Sequence, residues 1–199
     1  MAVNLTHGAI SMDRRLFLKR GAASLSVPAV LVAASPATAS ECTDIEVAFS
    51  PHGGGEALVL KTIASARISI RLMAYSFTSP SVVRALLEAK KKWGVDVAVT
   101  VDYRNNVEED RSGKARAALS ALTYARVPVR TVSVFELQHA KFLVVDGETV
   151  QTGSFNYSRQ AALYNSENVL VLRGRQDIAR SYLDNWREVT ALGEDYRPT

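Results

Sequence analysis

The chain has 199 residues, with 24 Lys and Arg against 20 Asp and Glu and a formal charge of +4. One cysteine excludes an intramolecular disulfide, and without His7, which falls in an N-terminal segment that reads as a signal peptide, two histidines and that cysteine cannot furnish a zinc-type His/Cys cluster. No internal repeat, low-complexity segment or Gly-rich nucleotide fingerprint is present: Gly53-Gly54-Gly55 lacks the lysine and hydroxyl residue of a P-loop.

The chain opens on an export signature. Arg14-Arg15-Leu16-Phe17-Leu18-Lys19 follows Asp13 and precedes a weakly apolar run from Gly21 to about Ala34, then the small-residue stretch Ala37-Thr38-Ala39. That order predicts a twin-arginine-type signal peptide over residues 1–39, with Met12 as a possible true start. The apolar run is too short to span a bilayer. The expected mature domain, 40–199, is periplasmic or secreted, and its partner in transit is the twin-arginine export machinery. Cys42 then stays free or pairs between chains; Glu41 before it excludes a lipoprotein cysteine. Removing residues 1–39 takes Arg14, Arg15, Lys19 and Arg20 with one acid, Asp13, and leaves 20 basic against 19 acidic residues. Attraction for a polyanion must therefore come from a local surface. Lys90-Lys91-Lys92-Trp93 is one candidate, and Arg104, Arg111, Lys114 and Arg116 form another.

Beyond the signal, strand-like runs occupy 45–49, 67–74, 95–102, 128–134, 139–145, 148–152 and 168–173. Helical patterns occupy 55–66, 80–93, about 111–125, 156–164 and 176–190. Their alternation predicts one α/β domain, a mixed β-sheet flanked by helices on both faces. Ile178, Tyr182 and Trp186 share one helix face and read as core. The tail from Gly193 reads as short and polar, and Glu108-Glu109-Asp110 as a solvated run.

The segment QHAKFLVVDGETVQTGSFNYSRQAALYNSEN, residues 138–168, concentrates the chemistry. Of the three histidines, His7 lies in the expected signal peptide and His52 sits in the loop Ser50-Pro51-His52-Gly53, so His139 is the leading acid–base or nucleophilic group near neutral pH. On an extended strand His139 and Lys141 point the same way, roughly 6–7 Å apart, within reach of one phosphate. Asp146-Gly147 is a hairpin turn, and Asp146 suits it for local hydrogen-bonding reasons as well. Gly153-Ser154-Phe155-Asn156 reads as a turn into a helix N-terminus, where Ser154 and Asn156 add donors to an anion-favouring end. Glu167 opens the next strand as a carboxylate able to orient the imidazole.

His139-x-Lys141-x4-Asp146, followed by Gly153-Ser154-x-Asn156 and Glu167-Asn168, resembles the phospholipase D superfamily and its HxKx4D motif. From about Ile45 to Arg197, segments such as SIRLMAYSFTSP (69–80), AKKKWGVDVAVTVD (89–102) and TGSFNYSRQAALYNSEN (152–168) are similar to its small, single-motif bacterial endonucleases. The resemblance implies a metal-independent phosphodiesterase without a cofactor. One histidine attacks phosphorus, a second protonates the leaving oxygen, and Lys141 and Asn156 hold nonbridging oxygens. His139, Lys141, Asp146, Ser154, Asn156 and Glu167 are the residues it assigns to catalysis. His52 has no lysine two residues on and no GSxN element behind it, so the second histidine is expected from a second copy of the chain, in a two-fold homodimer. DNA, and RNA with it, is the favoured substrate. A phospholipid headgroup is the alternative, because the reacting group is the same, although no interfacial amphipathic helix is evident. An inactive nucleic-acid-binding module is the remote one, opposed by the intact residue set.

Overall fold

The computed structural model describes residues 44–52 and 54–198. The expected signal peptide, its cleavage site, His7 and Cys42 lie outside these residues. The chain order is β1 (Ile45–Ser50), α1 (Gly54–Ser65), β2 (Ser69–Ala74), α2 (Pro80–Trp93), β3 (Asp96–Asp102), a π-helical turn (Arg104–Glu108), α3 (Lys114–Tyr124), β4 (Val129–Val132), β5 (Phe142–Val145), β6 (Thr149–Gly153), α4 (Arg159–Leu163), β7 (Glu167–Leu172), α5 (Gln176–Ala191) and β8 (Glu194–Asp195). The strands form one sheet in the order β1-β7-β6-β5-β2-β3-β4-β8. β2, β3 and β4 run parallel, and every other neighbouring pair is antiparallel.

Strand alternation builds two cores of unequal size. Ile70, Leu72 and Ala74 of β2, with Val97, Val99 and Val101 of β3, turn toward α1, α2 and α3 in the larger core. Met73, Phe142, Val144 and Val150 turn the other way, under α5. The expected α5 stripe of Ile178, Tyr182 and Trp186 covers this second core, and Trp186 Nε1 donates to the Leu72 carbonyl at 3.1 Å. Helix α2 has a full set of end signals: Ser79 accepts from the Val82 N–H, Pro80 opens the first turn, and Gly94 closes it at φ 67.

Several boundaries differ from the sequence reading. The strand expected over 139–145 begins only at Phe142, so His139 and Lys141 sit on an irregular run-in. The helix expected from about 111 starts at Lys114, because Asp110 accepts from the Arg116 N–H and folds the acidic run into a turn of its own. That makes Asp110 buried rather than solvated. The helix expected over 156–164 shrinks to Arg159–Leu163, capped by the Ser158 hydroxyl. β8 falls in the expected polar tail, where Glu194 and Asp195 pair with Thr131 and Arg130 of β4. Pairing of backbone groups made that strand, not any side-chain pattern.

Candidate active site

Topology brings distant segments to one end of the sheet. β2 and β3 run parallel and finish there, placing Tyr75 and Asp102. β5 is antiparallel to β2, so it begins where β2 ends, and His139 and Lys141 arrive beside Tyr75. β6 finishes there with Gly153 and Ser154, and β7 starts there with Glu167. An open cavity of about 610 Å³ gathers His139, Lys141, Ser154, Asn156 and Glu167, with Tyr182 and Asn185 of α5 on one wall.

The polar contacts fix several of these groups. Ser154 Oγ donates to Glu167 Oε2 at 2.5 Å, and Asn165 Nδ2 donates to Glu167 Oε1 at 2.9 Å, so each carboxylate oxygen holds one donor. Ser154 Oγ in turn accepts from the Asn168 N–H at 3.1 Å. Lys141 Nζ donates to the His139 carbonyl at 2.6 Å and lies 5.1 Å from the Tyr75 ring. Burial pushes the Lys141 ammonium down to about 8, against the opposing pull of Glu167. The His139 ring packs against Tyr75 at 4.6 Å between centroids and makes no hydrogen bond among the described residues. The residue is exposed and lines the open cavity. The Asn156 side-chain oxygen is buried without a partner, a cost of roughly 1–3 kcal/mol for a group that meets no ligand.

Buried groups behind the cavity hold the His139 segment. Asp102, 2% exposed, accepts from the Gln138 N–H at 2.9 Å and the Asn105 N–H at 2.7 Å. Asn106 Oδ1 accepts from the Phe77 N–H at 2.9 Å, and its Nδ2 donates to the carbonyls of Tyr75 and Asp102. The irregular backbone flanking β2 and β3 therefore has its partners.

Three sequence expectations are corrected. Asp146 does not join the cavity: it sits at the other end of β5, and its carboxylate accepts the N–H groups of Arg67, Ile68 and Ser69 at 2.9, 2.8 and 2.8 Å. It holds the entry to β2, the work of a turn residue. Ser154 and Asn156 do not head a helix; Ser158 caps α4, and the two precede it on a loop. Glu167 makes no bond to His139 within one chain; its oxygens accept from Ser154 and Asn165 instead. His52 is exposed in the left-handed region at φ 89 and does not line the cavity.

Tyr75, Asn165, Tyr182 and Asn185 were missed. Tyr75 had one available signal, its place just after a strand in a parallel unit, where ligand sites of α/β sheets concentrate. Tyr182 and Asn185 had none, since α5 reaches the cavity only through its docking on the second core.

The basic candidates divide as well. Lys90, Lys91 and Lys92 lie in the last turn of α2, which leads back to the start of β3, at the far end of the sheet from His139. Lys92 Nζ and the Arg67 guanidinium flank the Trp93 ring, at 5.0 and 5.4 Å from its centroid. Arg104 pairs with Glu109 at 2.8 Å and Glu136 at 3.6 Å, and Arg116 with Asp110 at 4.0 Å, so these two cations are compensated.

Comparison with known proteins gives the family and the fold. The family described as "Cardiolipin synthase, PLD-like domain" matches residues 59–188. The chain is 31% identical over 144 residues to a protein named phospholipase D from Rickettsia prowazekii, covering 72% of this chain and 66% of that protein. It is 34% identical over 140 residues to the mitochondrial cardiolipin hydrolase of Xenopus laevis, covering 70% of this chain and 61% of that one. The chain thus spans about two thirds of the length of these relatives. Among solved structures it is similar to Nuc of Salmonella typhimurium, a phospholipase D family member, with a TM-score of 0.74 and 42% identity over 78% of this chain and 99% of that one. NucT from Helicobacter pylori shares the fold at a TM-score of 0.66 and 20% identity.

Proposed function

This chain belongs to the phospholipase D superfamily, and on that premise we propose that it is an exported, metal-independent endonuclease that hydrolyses DNA, and RNA with it, through a phosphohistidine. The carrying observation is the convergence of His139, Lys141, Asn156 and Glu167 on one open cavity with the imidazole left unbonded. In the first step a ring nitrogen of His139 attacks phosphorus, and the bond to one bridging oxygen breaks. A second histidine gives that oxygen its proton. Water then attacks the phosphohistidine, its proton passes to the second histidine, and His139 is regenerated. Lys141 and Asn156, which both line the cavity, stabilise charge on the nonbridging oxygens. Ser154 and Asn165 hold the Glu167 carboxylate beside them.

The nuclease reading is supported by extent. Nuc is matched over 99% of its length at 42% identity, whereas the relatives named for lipid substrates continue beyond this domain. A two-fold homodimer supplies the second histidine. Two exposed apolar stretches support it. On the edge strand β1, Ile45, Val47 and Phe49 are 57%, 56% and 65% exposed. Leading into His139, Val134, Phe135 and Leu137 also face solvent.

The test is plasmid cleavage by purified protein in excess EDTA, with His139→Ala alongside. Cleavage by the parent alone is expected. Cleavage abolished by EDTA would overturn the phosphohistidine mechanism. Intact DNA together with headgroup release from phosphatidylcholine would move the assignment to a phospholipase D.

A further inference from the structure

A second cavity, larger than the catalytic one at about 820 Å³, lies between α2, α3 and α4 and shares no lining residue with it. Its floor is aliphatic: Val83 and Leu87 from α2 face Ala117, Ala118 and Ala121 from α3. The alanines make it, because residues at i, i+1 and i+4 of α3 present only methyl groups where a longer side chain would close the space. The rim carries three cations, Arg84, Lys114 and Arg159, and no acidic residue lines the cavity. None of the three head groups has an ion pair or hydrogen bond with another described residue, unlike Arg71, Arg104, Arg130 and Arg173, each of which has a carboxylate partner.

An aliphatic trough bounded by cations that have no partner among the described residues calls for a ligand with an apolar body and an anionic head. We propose that this groove binds a single-chain anionic amphiphile, its alkyl chain between α2 and α3 and its carboxylate or phosphate among Arg84, Lys114 and Arg159. The volume falls within the range of small-ligand sites, which are mostly apolar with a few placed polar groups. A nucleic-acid strand fits less well. Bases bind to proteins by stacking on aromatic faces, and the groove offers one aromatic ring, Tyr164, on an aliphatic floor.

The probe set is dodecyl phosphate, dodecanoate, octyl phosphate and inorganic phosphate, titrated calorimetrically below micellar concentration into the full chain. One equivalent of dodecyl phosphate should bind, and each methylene between the octyl and dodecyl chains should tighten binding roughly fourfold if fully buried. Dodecanoate against dodecyl phosphate distinguishes a fatty-acid head from a phosphate head. Ala117→Phe, at an exposed position that fills the trough, should abolish binding. The double charge reversal Arg84→Glu with Arg159→Glu should weaken it about tenfold or more while circular dichroism stays unchanged. Equal affinity for the two chain lengths or for inorganic phosphate would overturn the proposal, as would binding that survives Ala117→Phe. Displacement of dodecyl phosphate by an oligothymidylate, with both variants losing the oligonucleotide, would assign the groove to nucleic acid instead.

Discussion

Lys141 is the cavity residue whose environment departs clearly from its ordinary chemistry. It is only 7% exposed, and its ammonium, pushed down to about 8 by burial, must be charged to hold a nonbridging oxygen. The cationic fraction falls as pH rises through that value, so kcat/KM on a phosphodiester should decline on the alkaline side with a midpoint near 8. Lys141→Arg keeps its charge across that range and should move the decline upward; Lys141→Ala should lose roughly 10²–10³-fold at neutral pH. A pH–rate profile from about pH 6 to 10 checks both. Asp146 gives the opposite expectation. Three backbone N–H groups depend on its carboxylate, and its φ of 54 is strained for most side chains. Asp146→Ala should cost about 2 kcal/mol in a urea titration and leave kcat within about twofold, because the residue is remote from the cavity. Asp146→Asn tolerates the positive φ and should be milder.

At the scale of elements, the junction of β6 and β7 carries the site. Gly153 has φ 146, and a Cβ there would stand 2.2 Å from the Asn168 carbonyl oxygen. The two strands can approach only because that position has no side chain. Gly153→Ala should push them apart at the cavity rim and disturb the Ser154 hydroxyl that meets both Glu167 and the Asn168 N–H. We expect a fall in kcat of about tenfold or more together with a stability loss of roughly 1–3 kcal/mol, read by kinetics and thermal melting on one preparation. Helix α5 contributes differently. Trp186 anchors it on β2 and the Tyr182 ring meets Phe142 edge-on at 4.8 Å, which holds Tyr182 and Asn185 against the cavity wall. One face of this helix thus serves the core and the site together.

For the whole molecule, the number of histidines is decisive. One chain brings His139 to the cavity, and the two-histidine reaction we propose takes its other histidine from a second copy. Val47 and Phe49, exposed on the sheet edge, are the natural place to break that assembly. Val47→Asp with Phe49→Asp should shift the sedimentation coefficient to that of a monomer and remove activity together, without changing the circular dichroism spectrum. Equal parts of parent and His139→Ala, unfolded and refolded together, should keep about a quarter of the activity, since only parental pairs retain both histidines. Half the activity would show that each chain works alone.

Much of this protein was legible in the order of its residues. Apolar alternation in β2 and β3, the continuous apolar run of β5 and the caps around α2 are local physics, so the α/β class and most elements follow from short windows. His139, Lys141, Ser154, Asn156 and Glu167 lie within one 31-residue stretch, 138–168, folded as a hairpin and the strand beside it, so their convergence was readable too. Asp146 shows the limit. The motif resemblance groups it with His139 and Lys141, but four residues of extended strand carry it to the opposite end of the sheet. Tyr75, Asp102, Tyr182 and the apolar groove between α2 and α3 depend on which strands become neighbours and where each helix docks. Those choices are settled by burial and backbone pairing summed over the chain, and no local window contains them.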